Sequence, residues 1–209
     1  MTSTAALLMR LPSRSELAVA ATVEDLPGLS LSPAQCVVVS ELASGAWPGT
    51  WVDNSPALAA QSSFAERTPV LVTTNGTRTL LHAAAFADEV LLASFVDLHA
   101  VARYLGEPAP SSIALMPAGH FASGEGRLED ELCADALAAL LAGSEPDLAQ
   151  SAALIRDDAR VRRRVEAKPG FSADLELALA SDREARVLTF KCTNAGVGRI
   201  VRADPRAKD

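Results

Sequence analysis

The sequence predicts an α/β protein with a mostly parallel sheet that is covered by helices on both faces. Short apolar runs rich in Val and Leu alternate with segments of helical period, a pattern typical of βαβ units. Hydrophobic residues make up 49% of the 209 positions, enough to bury a sizeable core. We therefore expect a three-layer α/β/α arrangement with a smaller C-terminal α+β part.

Four apolar runs supply the predicted strands of the core. They are residues 36–41 (CVVVSE), 69–74 (PVLVTT), 89–95 (EVLLASF) and 111–118 (SSIALMPA). Right-handed crossovers between such strands place the following loops on one side of the sheet. The N-terminal segment contains at most one further strand, near residues 16–23, and residues 185–192 and 197–203 are compatible with two strands that the turn "TNAG" could join as a hairpin.

Helical patterns follow these runs and carry recognisable boundaries. Ser55 is a favoured N-cap residue, and Pro56 suits the first helical position. Gly106 and Gly143 close two of the later helical patterns. The charged stretch 145–168 is also predicted as helix, and its arginines stand among acids in the manner of a solvated face.

The chain divides into three segments by pattern. Residues 1–34 form a poorly patterned N-terminal segment, and residues 35–143 form the α/β core with its loops. Residues 144–209 hold the C-terminal helices and the hairpin. We find no internal repeat or low-complexity stretch.

Charge and composition exclude several classes of function. The formal net charge of −7 argues against nucleic-acid binding, which requires a basic surface. No apolar run approaches the length of a membrane span or of a secretory leader, so we expect a soluble, cytoplasmic protein without a membrane partner. The three cysteines lack metal-type spacing and are interpreted as buried thiols. Self-association into a homo-oligomer is compatible with the sequence.

The loop "TTNGTR", residues 73–78, joins a predicted strand to a predicted helix. Backbone N–H groups at such a helix start attract anions, and Thr74, Thr77 and Arg78 add further donors. Asn75 and Gly76 allow a tight turn. The same residues are equally compatible with a capped helix start that has no ligand.

A second loop, residues 118–130, is longer than a strand-to-helix connection requires. It contains His120 and Arg127, and it ends in the acidic pair Glu129 and Asp130. Acids in a first helical turn commonly serve only to stabilise the helix dipole. Loops at the carboxyl ends of parallel strands also form ligand crevices. In that interpretation the 118–130 loop converges with Glu41, the 74–78 loop and the turn after Ser94.

Four stretches occur in an order and spacing that resemble a known family. They are "DNSPAL", "VLVTTNGTRTLLHAA", "EVLLASFVDLHAVA" and "AGHFASGEGRLEDELCADAL". Together they are similar to the 2-phosphosulfolactate phosphatase family, and the resemblance is good over roughly residues 35–142. It implies an α/β/α fold and Mg²⁺-dependent hydrolysis of a small anionic phosphomonoester.

The resemblance also implies roles for individual residues. Glu41 and Glu129 are the candidate Mg²⁺ ligands, because Mg²⁺ prefers oxygen ligands and retains several waters. Asp53 and Asp130 are the next catalytic candidates. The phosphate is expected on the 74–77 backbone and Arg78, and His120 or Arg127 is expected at the leaving oxygen or at a second phosphate or sulfonate group.

Three departures from the family pattern keep an alternative open. Residues 1–34 contain no match to the family's Asp-Val-Leu-Arg-Ala-Thr element. Leu42 stands where the family has an Arg, and Asp97 stands where it has an Asn. The sequence is therefore compatible with a weak phosphatase or with a degenerate member that binds a small anion or a partner without turnover.

Overall fold

A single seven-stranded sheet organises the protein, and its strands come from all three sequence segments. The structure is a computed structural model that describes residues 17–42, 46–59, 64, 67–106, 109–120, 123–181 and 186–203. The strand order is β3-β2-β4-β1-β7-β6-β5. The strands are β1 (Leu17–Ala20), β2 (Cys36–Ser40), β3 (Thr50–Asp53), β4 (Thr68–Leu71), β5 (Val90–Leu92), β6 (Leu188–Asn194) and β7 (Val197–Arg202).

Seven helices accompany the sheet in the described part of the chain. They are α1 (Pro56–Ala59), α2 (Gly76–Ala83), α3 (Leu98–Gly106), α4 (Leu128–Leu141), α5 (Leu148–Asp157), α6 (Ala159–Ala167) and α7 (Phe171–Leu179). The predicted α/β class is confirmed. The Ser55 hydroxyl accepts from the Leu58 N–H at 3.2 Å, which confirms the predicted start of α1.

The sheet is parallel in one half and antiparallel in the other. Strands β3, β2, β4 and β1 run parallel to one another. The predicted hairpin is confirmed as β6 and β7, and it pairs antiparallel with β1 on one side and β5 on the other. The C-terminal hairpin therefore joins the main sheet and completes it.

Alternating side chains of the central strands bury two apolar clusters, one on each face of the sheet. One cluster holds Leu17, Val37 and Leu71 with Leu80 of α2. The other holds Ala18, Val38 and Val70, with Leu26 and the partly buried Trp47 packed against it. Because β1, β2 and β4 are buried on both faces, they consist almost entirely of apolar residues.

Two expectations about the second half of the sheet are wrong. Residues 111–118 were predicted as a strand but form none, and Ile113 and Met116 are exposed. Strand β5 pairs with the C-terminal hairpin. Strand β5 also runs opposite to β1, β2 and β4, so the turn after Ser94 does not follow a strand of their direction.

The charged stretch 145–168 forms two helices that are separated at Asp158. The Asp158 carboxylate accepts from the N–H groups of Arg160 and Val161, both at 2.9 Å, and so caps α6. Val161 and Ile155 are buried, so the two helices present one apolar side to the protein. No helix in the described ranges combines the length and apolarity needed to cross a bilayer.

Candidate active site

Three parallel strands, β2, β3 and β4, end side by side and position the first group of predicted site residues. Ser40 at the end of β2 is level with Asp53 at the end of β3, and Val39 is level with Leu71 at the end of β4. The next residues along the chain are therefore neighbours at one edge of the sheet. They include Glu41, Asn54 and the loop that begins with Thr73.

The Glu41 carboxylate joins these strand ends. Its Oε2 accepts from the Asn54 side-chain amide at 2.9 Å, and its Oε1 accepts from the Thr74 N–H at 2.6 Å. The Asn54 N–H in turn donates to the Ser40 carbonyl at 3.2 Å. Glu41 and Thr74, which were predicted from separate motifs, are thus in direct contact.

The 73–78 loop is a capped helix start. The Thr77 N–H donates to the Thr73 hydroxyl at 3.2 Å, and the Thr77 hydroxyl donates to the Thr73 carbonyl at 2.8 Å. Thr77 is fully buried. Both of its polar groups serve the loop itself, so the structure favours the capping interpretation for Thr77 over a ligand-binding one.

The remaining loop residues lie closer to solvent. Asn75 occupies the N-cap position of α2, and its carbonyl accepts from the N–H and the hydroxyl of Thr79, both at 3.1 Å. Gly76 begins the helix. The Thr74 N–H already donates to a carboxylate, so this backbone donor is in a position that attracts negative charge.

Arg78 is exposed and lies within electrostatic reach of the loop after β1. The pKa of the Glu24 carboxyl is lowered there by its own backbone N–H, then by the Thr22 hydroxyl, and to a smaller extent by the Arg78 charge. The charge of Arg78 therefore also acts on the loop that follows β1. A fork of this kind suits a phosphate or carboxylate.

The second predicted loop is fixed to the first. The Thr79 hydroxyl is 3.4 Å from the Ala118 carbonyl, and the Gly119 N–H donates to Asp130 Oδ2 at 3.0 Å. Gly119 has a φ of +56°, and a Cβ there would lie 2.9 Å from the Glu125 carbonyl oxygen. The Asp130 carboxylate thus holds the loop closed at its base.

His120 and Arg127 flank this turn. His120 Nδ1 lies 2.7 Å from the Ser123 hydroxyl, and the His120 N–H donates to the Glu125 carbonyl at 2.8 Å. Arg127 occupies the N-cap position of α4 in an extended conformation, with φ −124° and ψ 124°. The loop therefore fixes the backbone from which the side chains of His120 and Arg127 extend.

The remaining two predicted carboxylates, on Glu129 and Asp53, form ion pairs with basic side chains of the C-terminal segment. Glu129, 16% exposed, forms an ion pair with Arg160 of α6. Both oxygens of Asp53 accept from Lys168 Nζ, at 2.9 and 2.8 Å. The sequence pattern did not indicate these partners, because Arg160 and Lys168 belong to a stretch that resembles a solvated helix face.

Asp174 of α7 is a buried acid that sequence reasoning did not single out. Its Oδ1 accepts from the Ser55 hydroxyl at 2.6 Å and from the Ala57 N–H at 2.9 Å. Asp174 is 7% exposed. It attaches α7 to the segment that directly follows β3, and no sequence spacing could have shown a contact that joins residues 55 and 174.

Two cavities adjoin the acidic residues. One of about 670 Å³ lies beside the extended 109–118 segment, is lined mainly by apolar side chains, and reaches Thr79, Glu129 and Asp130. The other is about 80 Å³ and lies between α6, α7 and Asn54. Glu129 lines both cavities.

The donor set fits Mg²⁺ in part. Glu41 is suitable, since its carboxylate is oriented by two N–H donors, as metal-binding carboxylates commonly are. Glu129 would have to exchange its ion pair with Arg160 for the metal. Within the described ranges, no group of three or more His, Cys, Asp or Glu side chains is placed to hold a metal ion.

Comparison with known proteins assigns the chain to a family. The family model described as 2-phosphosulpholactate phosphatase matches residues 2–194. The chain belongs to this family. The predicted resemblance is therefore confirmed, and the match extends on both sides of the region 35–142 in which the motifs were found.

Three curated relatives are each named "Probable 2-phosphosulfolactate phosphatase". The protein from Deinococcus radiodurans is 34% identical over 137 residues, which cover 66% of this chain and 52% of the relative. The protein from Thermus thermophilus is 41% identical over 88 residues, covering 42% of this chain and 36% of the relative. The protein from Gloeobacter violaceus is 36% identical over 104 residues, which cover 50% of this chain and 43% of the relative. The chain spans about half or less of the length of these relatives.

The positions that depart from the family motifs have different surroundings. Leu42 is exposed beside Glu41. Asp97 is buried, and its Oδ1 accepts from the N–H and the hydroxyl of Ser94 at 2.8 and 3.0 Å. Asp97 therefore holds its own turn together. This turn follows the reversed strand β5, so the shared strand direction on which its predicted convergence was based is wrong. Ser94 and Phe95 nevertheless line the larger cavity together with Glu129 and Asp130.

Proposed function

We propose that the chain is a Mg²⁺-dependent phosphatase for a small anionic phosphomonoester similar to 2-phosphosulfolactate. Family membership supports the class of reaction. The observation that carries the proposal for this chain is the contact of Glu41 with Asn54 and Thr74. It brings a carboxylate and the anion-attracting loop together at the carboxyl ends of parallel strands, where α/β proteins bind ligands.

In this proposal the phosphate lies against the 74–76 backbone and Arg78, because the Thr77 N–H already donates to the Thr73 hydroxyl. The Thr74 N–H now donates to Glu41, so an incoming phosphate would compete with this carboxylate for the same donor. Release of the Glu41 oxygen from Thr74 would leave that oxygen available to a cation. We therefore expect bound phosphate to raise the affinity of Glu41 for a cation, and a bound cation to raise the affinity of the loop for phosphate.

Mg²⁺ would be held by Glu41 and Glu129, with water completing its ligands. When bound, it would neutralise the charge of the phosphoryl group. Asp53 and Asp130 support the surrounding loops through Lys168 and Gly119. His120 or Arg127 would face the leaving oxygen. Leu42 supplies no charge where the family motif has an Arg, so we expect weak activity.

The test is a panel of phosphomonoesters assayed with and without Mg²⁺. We expect slow turnover that requires Mg²⁺, with Glu41→Gln and Glu129→Gln each lowering kcat by about 10²–10³-fold, the scale for loss of one charge-stabilising group. Glu176→Gln is the matched control, because Glu176 is an exposed acid paired with Arg156 on the outside of α7. Strong turnover without metal, or full activity of both site variants, would contradict the proposal.

A second candidate is a family member that binds a small anion without turnover. The ion pairs Glu129–Arg160 and Asp53–Lys168 favour it, since they already neutralise two of the proposed catalytic acids. Clear binding of inorganic phosphate together with no turnover of any ester would support this candidate over the enzyme.

A further inference from the structure

The cavity of about 670 Å³ lies beside β5, the last strand of the sheet. Its walls come from β5 and the residues that follow it, from α2 and α4, and from the 109–118 segment. Most of the lining side chains are apolar, including Leu92, Leu137 and the exposed Ile113 and Met116. Small-molecule pockets commonly measure about 300–1,000 Å³ and have mainly apolar linings with a few polar groups. The cavity therefore has the size and the lining of a small-molecule site.

The charged side chains of this lining all carry the same sign. Asp88 and Glu89 precede β5, whereas Glu129 and Asp130 belong to the first turn of α4. Among the described residues that line the cavity there is no Arg, Lys or His. The Cys133 thiol also lines it, and burial raises the pKa of this thiol to about 12, with nearby carboxylates adding to the effect. The lining therefore favours a neutral or cationic molecule and repels an anion.

Thr79 joins the cavity to the 73–78 loop, although the residues of that loop do not line the cavity. The Thr79 hydroxyl lies 3.1 Å from the Asn75 carbonyl oxygen and 3.4 Å from the Ala118 carbonyl oxygen. Both Thr79 and Ala118 line the cavity, and Thr79 is 7% exposed. Thr79 is thus part of a wall between the loop and the cavity, and the cavity is a neighbour of the proposed phosphate position rather than part of it.

We propose that this cavity binds a small apolar amine, a molecule with an apolar body, an N–H donor and no negative charge. The apolar walls supply the driving force, because an occupant removes them from water. The carboxylates of the lining accept hydrogen bonds from the N–H of the occupant. The inference goes beyond the proposed phosphatase and does not depend on it, since the occupant is chemically the opposite of a phosphomonoester.

Two fluorescent probes that differ by one sulfonate test the predicted charge preference. N-phenyl-1-naphthylamine is a neutral apolar amine, and 1-anilinonaphthalene-8-sulfonate has the same rings and the same N–H. We expect the wild type to bind the neutral probe and to bind the sulfonate about tenfold more weakly, the scale of an unfavourable charge contact near a protein surface. No binding of the neutral probe, or an equal or higher affinity for the sulfonate, would overturn the inference.

The source of this preference is tested by removing acids from the rim. Asp88→Asn combined with Glu89→Gln should narrow the difference between the two probes. Asp135→Asn combined with Glu166→Gln is the matched control, because it changes the net charge equally at exposed acids outside the lining. The control pair should leave the difference unchanged. An equal effect of the two pairs would assign the preference to the charge of the whole protein and reject the site.

Substitutions in the walls test whether the neutral probe occupies this cavity. Ala134→Phe on α4 places a ring in the cavity and should weaken binding roughly 10- to 100-fold, the scale of leaving one ring of the probe unburied. Ala138→Phe lies one turn later, is exposed and does not line the cavity, so it should not weaken binding. Met116→Gln at the exposed rim should also weaken binding, whereas Leu154→Gln on α5 should not. Affinity that is unchanged in both Ala134→Phe and Met116→Gln would overturn the inference.

Two further measurements separate this site from its alternatives. Inorganic phosphate should leave the affinity for the neutral probe unchanged, and displacement of the probe by phosphate would make the cavity part of the anion site and reject a separate one. A dimer in sedimentation velocity that Met116→Gln dissociates would show that a second copy covers this face, and it would also reject the site. Since no step requires turnover, probe binding in a protein that hydrolyses no ester would support this inference and reject the phosphatase alone.

Discussion

Glu41, which follows β2, contacts the segments after β3 and β4, the two strands that flank β2, through its two carboxylate oxygens. Each oxygen has one N–H donor, from Asn54 and from Thr74. Hydrogen bonds to a charged group are stronger than those between neutral groups, so this side chain also stabilises the site in the absence of a ligand. The residue that is proposed to bind the cation is thus the same residue that contacts the 73–78 loop.

Arg78 contributes an exposed positive charge to that loop. We predict that Arg78→Ala weakens the binding of inorganic phosphate by roughly 1–3 kcal/mol, the usual scale for a charged hydrogen bond. Phosphate affinity measured by calorimetry provides the test. Arg103→Ala is the control, since Arg103 is an exposed residue on α3. Unchanged affinity in Arg78→Ala would leave the backbone N–H groups as the remaining candidates.

The three thiols have different surroundings, although all three were expected to be buried. Cys36 is buried, whereas Cys192 is exposed on the C-terminal hairpin, so the expectation is wrong for Cys192. Burial raises the pKa of Cys133 to about 12, with the Asp97 and Asp130 charges adding to the effect. We predict that iodoacetamide modifies Cys192 in the native protein and modifies Cys133 only after unfolding, as detected by peptide mass spectrometry.

The same pKa has a consequence for stability. Between about 9 and about 12 the unfolded thiol of Cys133 loses its proton while the folded one keeps it, so the free energy of unfolding falls as pH rises through this window. Cys133→Ala should show a shallower decrease in urea titrations. An identical pH dependence in the two proteins would contradict this assignment.

At the scale of elements, sequence patterns were sufficient where the determining contacts are local. The start of α1 depends on Ser55 and Pro56, and the strands β2 and β4 depend on unbroken apolar runs. The direction of β5 depends on its pairing with a hairpin about 100 residues away, which no local pattern contains. The pairing of Lys168 with Asp53 was missed for the same reason.

The C-terminal hairpin requires close approach of its two strands at Gly198. A Cβ on Gly198 would lie 2.4 Å from the Phe190 ring and 2.7 Å from the Lys191 carbonyl oxygen. We predict that Gly198→Ala lowers the free energy of unfolding by about 1–3 kcal/mol, the range for overpacking a buried site. Gly106→Ala is the control, because a Cβ at Gly106 would meet no atom within 4 Å. Equal stability of the two variants in urea would contradict the predicted clash.

At the scale of the whole molecule, the C-terminal segment is bound to the rest through both the sheet and the site. The hairpin pairs with β1 and with β5. Lys168 contacts Asp53, and Asp174 contacts Ser55 and Ala57. The three segments that the sequence pattern distinguishes therefore share one sheet, and Asp53 and Glu129 of the second segment form ion pairs with Lys168 and Arg160 of the third.

This sharing predicts that the protein unfolds as one cooperative unit. Trp47 and Trp51 pack against the first half of the sheet, so their fluorescence reports on that half. Far-UV circular dichroism is dominated by helices, most of which follow residue 97. The two signals should give coincident urea transitions, as expected for a two-state domain.

Asp174→Asn should shift both midpoints downward together because it weakens the connection between α7 and the segment after β3. Glu176→Gln on the same helix removes only an exposed ion pair, worth about 0–1 kcal/mol, and should move neither appreciably. Separate transitions, or an Asp174→Asn shift in one signal alone, would show that the C-terminal segment folds independently.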